Sequence, residues 1–180
     1  MHLRTYSVLS EQLQPIKIEV EIATHRGTPR LIIVGSATKA VLEARERILA
    51  ALSHHDLRLK NKRTIVNLAP ADLTKRDTSF DLAIAVGLGC IASSRGKPLT
   101  AAQSQRLHTT AFIGEVALDG TIKAVENPIA LILAARQLGF TSILLSEKSR
   151  EVVQNVPTTF SDGSFSIHLA RNIQQAIDHT

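Results

Sequence analysis

The chain has 180 residues, of which 44% are hydrophobic and 21% charged, and its formal net charge at pH 7 is +5. At about 100–200 residues per domain, this length and composition predict one soluble globular domain and exclude wholesale disorder. The single cysteine, Cys90, excludes a disulfide within the chain, and no uncharged stretch reaches the ~20 residues that a membrane-spanning helix needs. We expect a cytoplasmic protein without a membrane partner.

The first predicted elements are strands. Apolar residues alternate with charged ones from Ile16 to Ile22, which is typical of a strand with one buried face. The turn signal Gly27-Thr28-Pro29 separates this strand from a second apolar run, Arg30 to Val34. We predict that the two strands pair as a β-hairpin.

An amphipathic helix and a further strand come next. With Ser36 as the N-cap, apolar residues recur at helical spacing as far as Leu52. Glu43 stands four residues before Arg47, the spacing of an ion pair across one helical turn. The run from Arg63 to Ala69 predicts the next strand.

A second helix, Phe80 to Ala92, is apolar on nearly every side, which predicts that it is buried in the middle of the domain. Ser79 precedes it and is interpreted as its N-cap, accepting a hydrogen bond from a backbone N–H of the first turn. Asp81 in that turn favours the positive end of the helix dipole. Gly87 and Gly89 lower the helix propensity by about 1 kcal/mol each relative to alanine, and so predict close approach of a neighbouring element.

The middle of the chain contains a loop and a hairpin. Ser93 to Gln105 is rich in glycine, proline and small polar residues and predicts a long loop. Asp119-Gly120 lies between two β-prone runs, Thr110 to Leu118 and Thr121 to Val125, which predicts a second β-hairpin.

Helices and strands alternate in the last third of the chain. Pro128 takes the first position of a helix that ends at Gly139. The remaining predicted elements are a strand at Thr141 to Leu145, a short helix at Lys148 to Gln154, a strand at Phe165 to Leu169 and a final helix from Asn172. Such alternation requires crossovers onto a parallel or mixed sheet, so the predicted fold class is α/β with a mixed sheet.

Several segments of the chain follow the order and spacing of a known family. They are Arg4–Ser7, Ile18–Ile22, Gly27–Pro29, Ile33–Gly35, Glu43–Arg47, Val66–Leu73, Phe80–Leu82 and Gly114–Gly120. Together they resemble the ComM/YifB family of magnesium-chelatase-like competence proteins. The resemblance implies that residues 1–180 form one N-terminal domain with the ribosomal-protein-S5-like fold of the Lon proteolytic domain.

The resemblance also implies an AAA+ ATPase module C-terminal to this domain, with ATP and Mg²⁺ as its cofactors. No part of the 180 residues resembles that module, and they contain no Gly-x-x-x-x-Gly-Lys-Ser/Thr loop for a nucleotide. We therefore expect no cofactor in this domain itself.

Lon peptidases use a serine at the start of a buried helix and a lysine on a second helix. Alignment with that family places Ser79 at the nucleophile position and Ile129 at the lysine position. Because a hydrocarbon side chain cannot accept a proton, we predict that Ser79 is not catalytic. Just before Ile129 the chain has Ala124-Val125-Glu126-Asn127, where the family usually has Pro-Val-Arg-Gly.

Basic residues gather around one predicted strand and indicate a candidate nucleic-acid surface. The residues that lead into the strand are Arg58, Lys60, Lys62 and Arg63, and those that follow it are Lys75 and Arg76. Lys60 and Lys62 would share one face if both lay on the strand. No His, Cys or carboxylate spacing indicates a metal site, and the seven histidines are interpreted as surface or capping residues.

The implied function is that of a hexameric AAA+ motor that acts on DNA in recombination and natural transformation, with branch migration as its activity. This domain would then be non-proteolytic and serve ring assembly or DNA contact. Two alternatives stay open. One is a Lon-type serine peptidase in which Lys75, Lys123 or a lysine of a neighbouring subunit activates Ser79. The other is a self-contained module that binds nucleic acid or a protein partner.

Overall fold

The structure is a computed structural model that describes residues 1–11, 14–35, 39–70, 79–155 and 163–180. Its strands are β1 (His2–Glu11), β2 (Gln14–Arg26), β3 (Arg30–Val34), β4 (Lys62–Ala69), β5 (Thr110–Phe112), β6 (Glu115–Val116), β7 (Ile122–Lys123), β8 (Ser142–Ser146) and β9 (Ser166–Ala170). Its helices are α1 (Lys39–His54), α2 (Asp81–Ser93), α3 (Ala101–Thr109), α4 (Pro128–Gln137), α5 (Arg150–Gln154) and α6 (Ile173–Asp178). None of the described helices combines the length and apolarity needed to cross a membrane.

Seven of the described strands form one mixed sheet in the order β3-β4-β2-β1-β5-β8-β9, and β6 pairs with β7 in a separate ribbon. Strand β2 is antiparallel to both of its neighbours, β1 and β4, whereas every other pair in the large sheet is parallel. The parallel neighbours β3 and β4 are joined through α1, as a crossover between parallel strands requires. The predicted α/β class with a mixed sheet is confirmed.

The predicted hairpin between the second and third strands is wrong. Strand β2 is paired along one edge with β1 and along the other with β4, so neither edge remains for β3. Strand β3 instead lies parallel to β4 at the edge of the sheet. The turn at Gly27-Thr28-Pro29 does reverse the chain, but the helix that follows β3 makes a crossover unit, so the partner of β3 is the next strand and not the previous one.

Helix α2 is buried along its length, as predicted: residues 81–91 are all buried. It packs between the sheet and helices α1 and α6. Its glycines permit these contacts, because a Cβ at Gly87 would lie 2.5 Å from the Ile22 side chain and one at Gly89 would lie 2.2 Å from Cδ1 of Ile177. Helix α4 covers part of the opposite face of the sheet, where it packs on β1, β2 and β8.

Two predictions in the middle of the chain need correction. Part of the expected loop, Ser93 to Gln105, is the start of α3, which begins after a capping box: Oγ1 of Thr100 accepts from the Gln103 N–H at 3.2 Å, and Oε1 of Gln103 accepts from the Thr100 N–H at 3.2 Å. This Thr-x-x-Gln signal was present in the sequence. The expected strand from Thr110 to Leu118 is two strands, β5 and β6, which belong to different sheets. The Asp119-Gly120 hairpin between β6 and β7 is confirmed.

The contact between Gly89 and Ile177 predicts a measurable coupling. Gly89→Ala is expected to lower the free energy of unfolding by roughly 1–3 kcal/mol, because the new methyl group overlaps Cδ1 of Ile177. Ile177→Val removes that Cδ1 and by itself costs about 0.5–1.5 kcal/mol. In urea unfolding, the double variant should therefore lose less than the sum of the two single variants. If the two losses of unfolding free energy were strictly additive, positions 89 and 177 would not be in steric contact.

Candidate functional site

A cleft of about 1080 Å³ lies beside the start of α2 and contains both positions of the inferred dyad. Ser79 and Ile129 line the same cleft, together with Glu115, Leu133 and Val152. Ser79 is 1% exposed, whereas the side chain of Ile129 is at the surface of the cleft with 38% exposure. The structure thus brings the two aligned positions to one cavity whose wall at position 129 is hydrocarbon.

The start of α2 is held by backbone hydrogen bonds and not by a serine cap. The N-cap residue is Phe80, and no side chain caps the helix, so the prediction that Ser79 is the N-cap is wrong. The Gly114 N–H donates to the Ser79 carbonyl at 2.7 Å, and the Leu82 N–H donates to the Gly114 carbonyl at 3.0 Å. A first-turn N–H that could have met a ligand anion is therefore already used inside the protein.

The lysine candidates do not complete a dyad in the described part of the chain. Lys123 lies on β7, where its ammonium forms an ion pair with Glu115 and its side chain is 51% exposed. The ammonium of Lys123 is therefore engaged with a carboxylate at the surface. Lys75, the other candidate within the chain, lies outside the described residues.

Helix α4 begins at the cleft with a left-handed residue. Asn127 is its N-cap with φ of +49°, and Pro128 occupies the first turn, as predicted. Asparagine is among the few residues other than glycine that tolerate such a backbone.

Asp81 forms a buried ion pair with Arg47 of α1. Oδ2 of Asp81 accepts hydrogen bonds from Nε and Nη2 of Arg47 at 3.2 and 2.8 Å, and the carboxylate is fully buried. Burial raises the pKa of Asp81 to about 6, although the hydrogen bond and the charge of Arg47 act in the opposite direction. Arg47 thus connects α1 to α2. The spacing in the sequence had predicted an ion pair of Arg47 with Glu43.

A second candidate surface lies where β2 ends and β3 and β4 begin. Arg63 is directly opposite His25 of β2 and Arg30 of β3, and Arg26 is directly opposite Lys62. Like charges at directly opposed positions destabilise a sheet, so this register is unfavourable in the absence of an anion. The cross-strand register, which the sequence alone does not give, therefore sets Arg63 beside Arg30 on one face of the sheet and Arg26 beside Lys62 on the other.

The predicted basic residues are divided between two faces. Lys60 is not on the strand, since β4 begins at Lys62 and Asn61 before it has φ of +54°, so the inference that both lysines share a strand face is wrong. Arg58, Lys60 and Lys62 nevertheless line one groove, while Arg63 is on the opposite face of β4. Lys75 and Arg76 lie outside the described residues.

Arg26, Arg30 and Lys97 also belong to this surface and were missed, although Arg26 and Arg30 flank the predicted turn. We call the whole set the basic end of the sheet: His25, Arg26, Arg30, Arg58, Lys60, Lys62, Arg63 and Lys97. None of these side chains has an ion-pair partner among the described residues, whereas other arginines, such as Arg4 with Glu21 at 2.8 Å, do. Within the described residues, no three His, Cys, Asp or Glu side chains form a group that could hold a metal.

The chain is similar to several known proteins. A family model described as "Subunit ChlI of Mg-chelatase" matches residues 19–149. Competence protein ComM of Haemophilus influenzae is 34% identical over 146 residues, which cover 81% of this chain and 27% of ComM. Uncharacterized protein YifB is 35% identical over 150 residues in Salmonella typhimurium and 33% identical over 150 residues in Escherichia coli, in each case over 83% of this chain and 28% of YifB. The chain thus spans a little over a quarter of the length of these relatives.

The raised pKa of Asp81 predicts a pH-dependent stability. The pKa is about 6 in the folded state against 3.8 as the ordinary value. The contribution of Asp81 to the free energy of unfolding is therefore greatest below about pH 4 and is lost as the pH rises through about 6. At 1.36 kcal/mol per pKa unit, this is roughly 3 kcal/mol. Asp81→Asn does not titrate at this position, so the stability of the wild type relative to this variant should fall by roughly 2 kcal/mol between pH 4 and 7 in urea unfolding. A difference that is constant or rises with pH would contradict the assignment.

Proposed function

The chain belongs to the family described as subunit ChlI of Mg-chelatase, a family of AAA+ proteins with ComM and YifB among the relatives, and on that premise we propose that it is a non-proteolytic, Lon-like domain that contacts DNA. The proposed contact surface is the basic end of the sheet. The observation that carries the proposal is the register that sets Arg63 beside both Arg30 and His25 with no described carboxylate as a partner.

The chemistry of the basic end favours the phosphate backbone as its ligand. Lysine and arginine neutralise phosphates and release counterions, a mode of binding that does not depend on sequence. Aromatic residues make up only 3% of the chain, so platforms for base stacking are scarce. We therefore propose contact with duplex or branched DNA through charge and not recognition of individual bases.

The remaining parts of the proposal concern the whole protein. An AAA+ module that binds ATP and Mg²⁺ would supply the mechanical work, and copies of the protein would assemble into a hexameric ring. The proposed process is branch migration of DNA during recombination and natural transformation, since the relative ComM is named a competence protein. In that arrangement this domain orients DNA relative to the motor.

A Lon-type peptidase is the second candidate function. It is favoured by one observation, the presence of Ser79 and Ile129 on the wall of the same cleft. Against it stand the hydrocarbon at position 129 and the ion-paired state of Lys123. We therefore propose that the cleft is the remnant of a peptidase site and that the domain acts without hydrolysis.

The DNA proposal predicts a salt-dependent affinity that depends on the basic end. Arg30→Gln combined with Arg63→Gln removes two phosphate contacts, so the slope of log K against log salt should become shallower by about 2. Binding would be measured by fluorescence anisotropy with a labelled four-way junction and a linear duplex over a range of salt concentrations.

The matched control for this experiment is the pair Arg45→Gln and Arg150→Gln. It changes the net charge by the same amount, but it removes arginines that are already paired with Glu46 and Glu147. The control should leave the slope near that of the wild type. Equal effects of the two double variants would show that only the net charge matters and would contradict a specific DNA surface.

The non-proteolytic proposal predicts that Ser79→Ala changes no enzymatic rate. We expect the wild-type chain to hydrolyse an unstructured fluorogenic peptide no faster than buffer, because the amine required to activate the serine is missing at position 129. Ser79→Ala should give the same fluorescence time course as the wild type. Turnover by the wild type that Ser79→Ala abolishes would reinstate the peptidase.

A further inference from the structure

An apolar groove with a floor of leucines overlaps the basic end of the sheet, with which it shares four cationic residues. It has a volume of about 520 Å³, within the range of about 300–1,000 Å³ that is typical of ligand pockets. The floor and walls contain the following leucines: Leu31, Leu49, Leu52, Leu57 and Leu59. Leu52 and Leu31 belong to the core, but Leu49 retains 38% exposure and so presents its side chain to any molecule in the groove.

The rim of this groove is cationic. Arg30, Arg58, Lys60 and Lys62 line it, and no acidic residue is among the described residues that do so. Because these four side chains lack an ion-pair partner within the described chain, their charges are available to a ligand. A ligand that fits the groove should therefore carry negative charge near the rim and large apolar groups near the floor.

The exposed apolar surface continues beyond the groove along α1. Leu42 is 52% exposed and lies seven residues before Leu49, so two helical turns separate them on the same side of the helix. An occupant longer than one side chain could thus follow α1 from the groove towards Leu42. This continuity favours a peptide over a small ion.

We propose that this leucine groove binds an acidic peptide segment of a partner protein, which inserts large apolar side chains between leucines while its carboxylates face the cationic rim. A nucleic acid would satisfy the rim but leave the leucine floor exposed, since its outer surface is a polar phosphate backbone. A second copy of this chain is disfavoured because each copy carries a net charge of +5 and would bring cations against cations. The proposal goes beyond DNA contact and does not depend on it.

The test uses two labelled peptides of equal charge. Both contain alternating Asp and Glu residues; one has three Leu or Phe residues spaced between them, and the other has Ser at those positions. We expect fluorescence anisotropy to show at least about tenfold tighter binding of the apolar peptide, since each leucine or phenylalanine that is buried contributes on that scale. Equal affinity of the two peptides would overturn the proposal.

Two leucine variants locate the binding site. Leu49→Ser removes the exposed part of the floor without a change of charge and should weaken the apolar peptide about tenfold. Leu133→Ser is the matched control, because Leu133 is equally accessible at 41% exposure but belongs to the cleft beside Ser79. It should leave peptide affinity unchanged. An unchanged affinity in Leu49→Ser would also overturn the proposal, provided that circular dichroism shows both variants to be folded.

Charge variants separate peptide binding from DNA binding, because the groove uses only part of the basic end. Arg58→Gln with Lys60→Gln removes two shared cations, so it should weaken both ligands and make peptide binding less dependent on salt. Arg63→Gln lies on the other face of β4 and should leave peptide binding intact while it weakens DNA. Conversely, Leu49→Ser should leave DNA binding intact. If peptide affinity followed only the charge variants and never Leu49→Ser, the groove would be one part of a general anion surface, and the peptide proposal would fail while DNA contact would stand.

Discussion

Burial of residues 81–91 of α2 determines how the surrounding helices and strands pack. A helix with no exposed side must match its neighbours on every side, and Gly87 and Gly89 are the positions where Ile22 and Ile177 come too close for any other residue without displacement. The same burial removes water from Asp81, so its charge requires Arg47, and this pair fixes α1 against the start of α2. Through α1 the constraint reaches the leucine groove, whose wall contains Leu49 and Leu52.

Burial also decides what the cleft beside Ser79 can do. A serine becomes a nucleophile when a neighbouring base takes its proton and N–H groups await the developing anion. Here the Leu82 N–H is held by Gly114, and position 129 carries a hydrocarbon. Asp81, the titratable group of the first helical turn, is committed to Arg47. The cleft itself is present, but Asp81 is paired with Arg47 and isoleucine occupies the position where a lysine would take the serine proton.

Local sequence patterns predicted the structure correctly where a single helix or turn determined it. The apolar composition of α2 predicted its burial, and the Asp119-Gly120 turn predicted the hairpin of β6 and β7. Prediction failed where a third element intervened. The β2–β3 hairpin was wrong because β4 occupies the edge of β2, and the Ser79 cap was wrong because the backbone at Gly114 competes for the same N–H. The proximity of Arg30, Arg63 and His25 depends on how three strands are paired. That cross-strand register cannot be deduced from any one segment of the sequence.

Because successive side chains of a strand point to opposite faces, β4 contributes to two different candidate anion sites, one on each face. Lys62 and Arg63 are neighbours in sequence, yet they point to opposite faces: Lys62 lines the leucine groove, whereas Arg63 lies on the open face opposite His25. Their charges still act on each other, because the Debye length of about 8 Å at physiological ionic strength exceeds the thickness of one strand. An anion on either face therefore relieves repulsion on both, and any anion that binds the folded state also stabilises the fold. Charge alone cannot discriminate between a phosphate backbone and an acidic peptide at this end of the sheet; the leucine floor on one face is what distinguishes them.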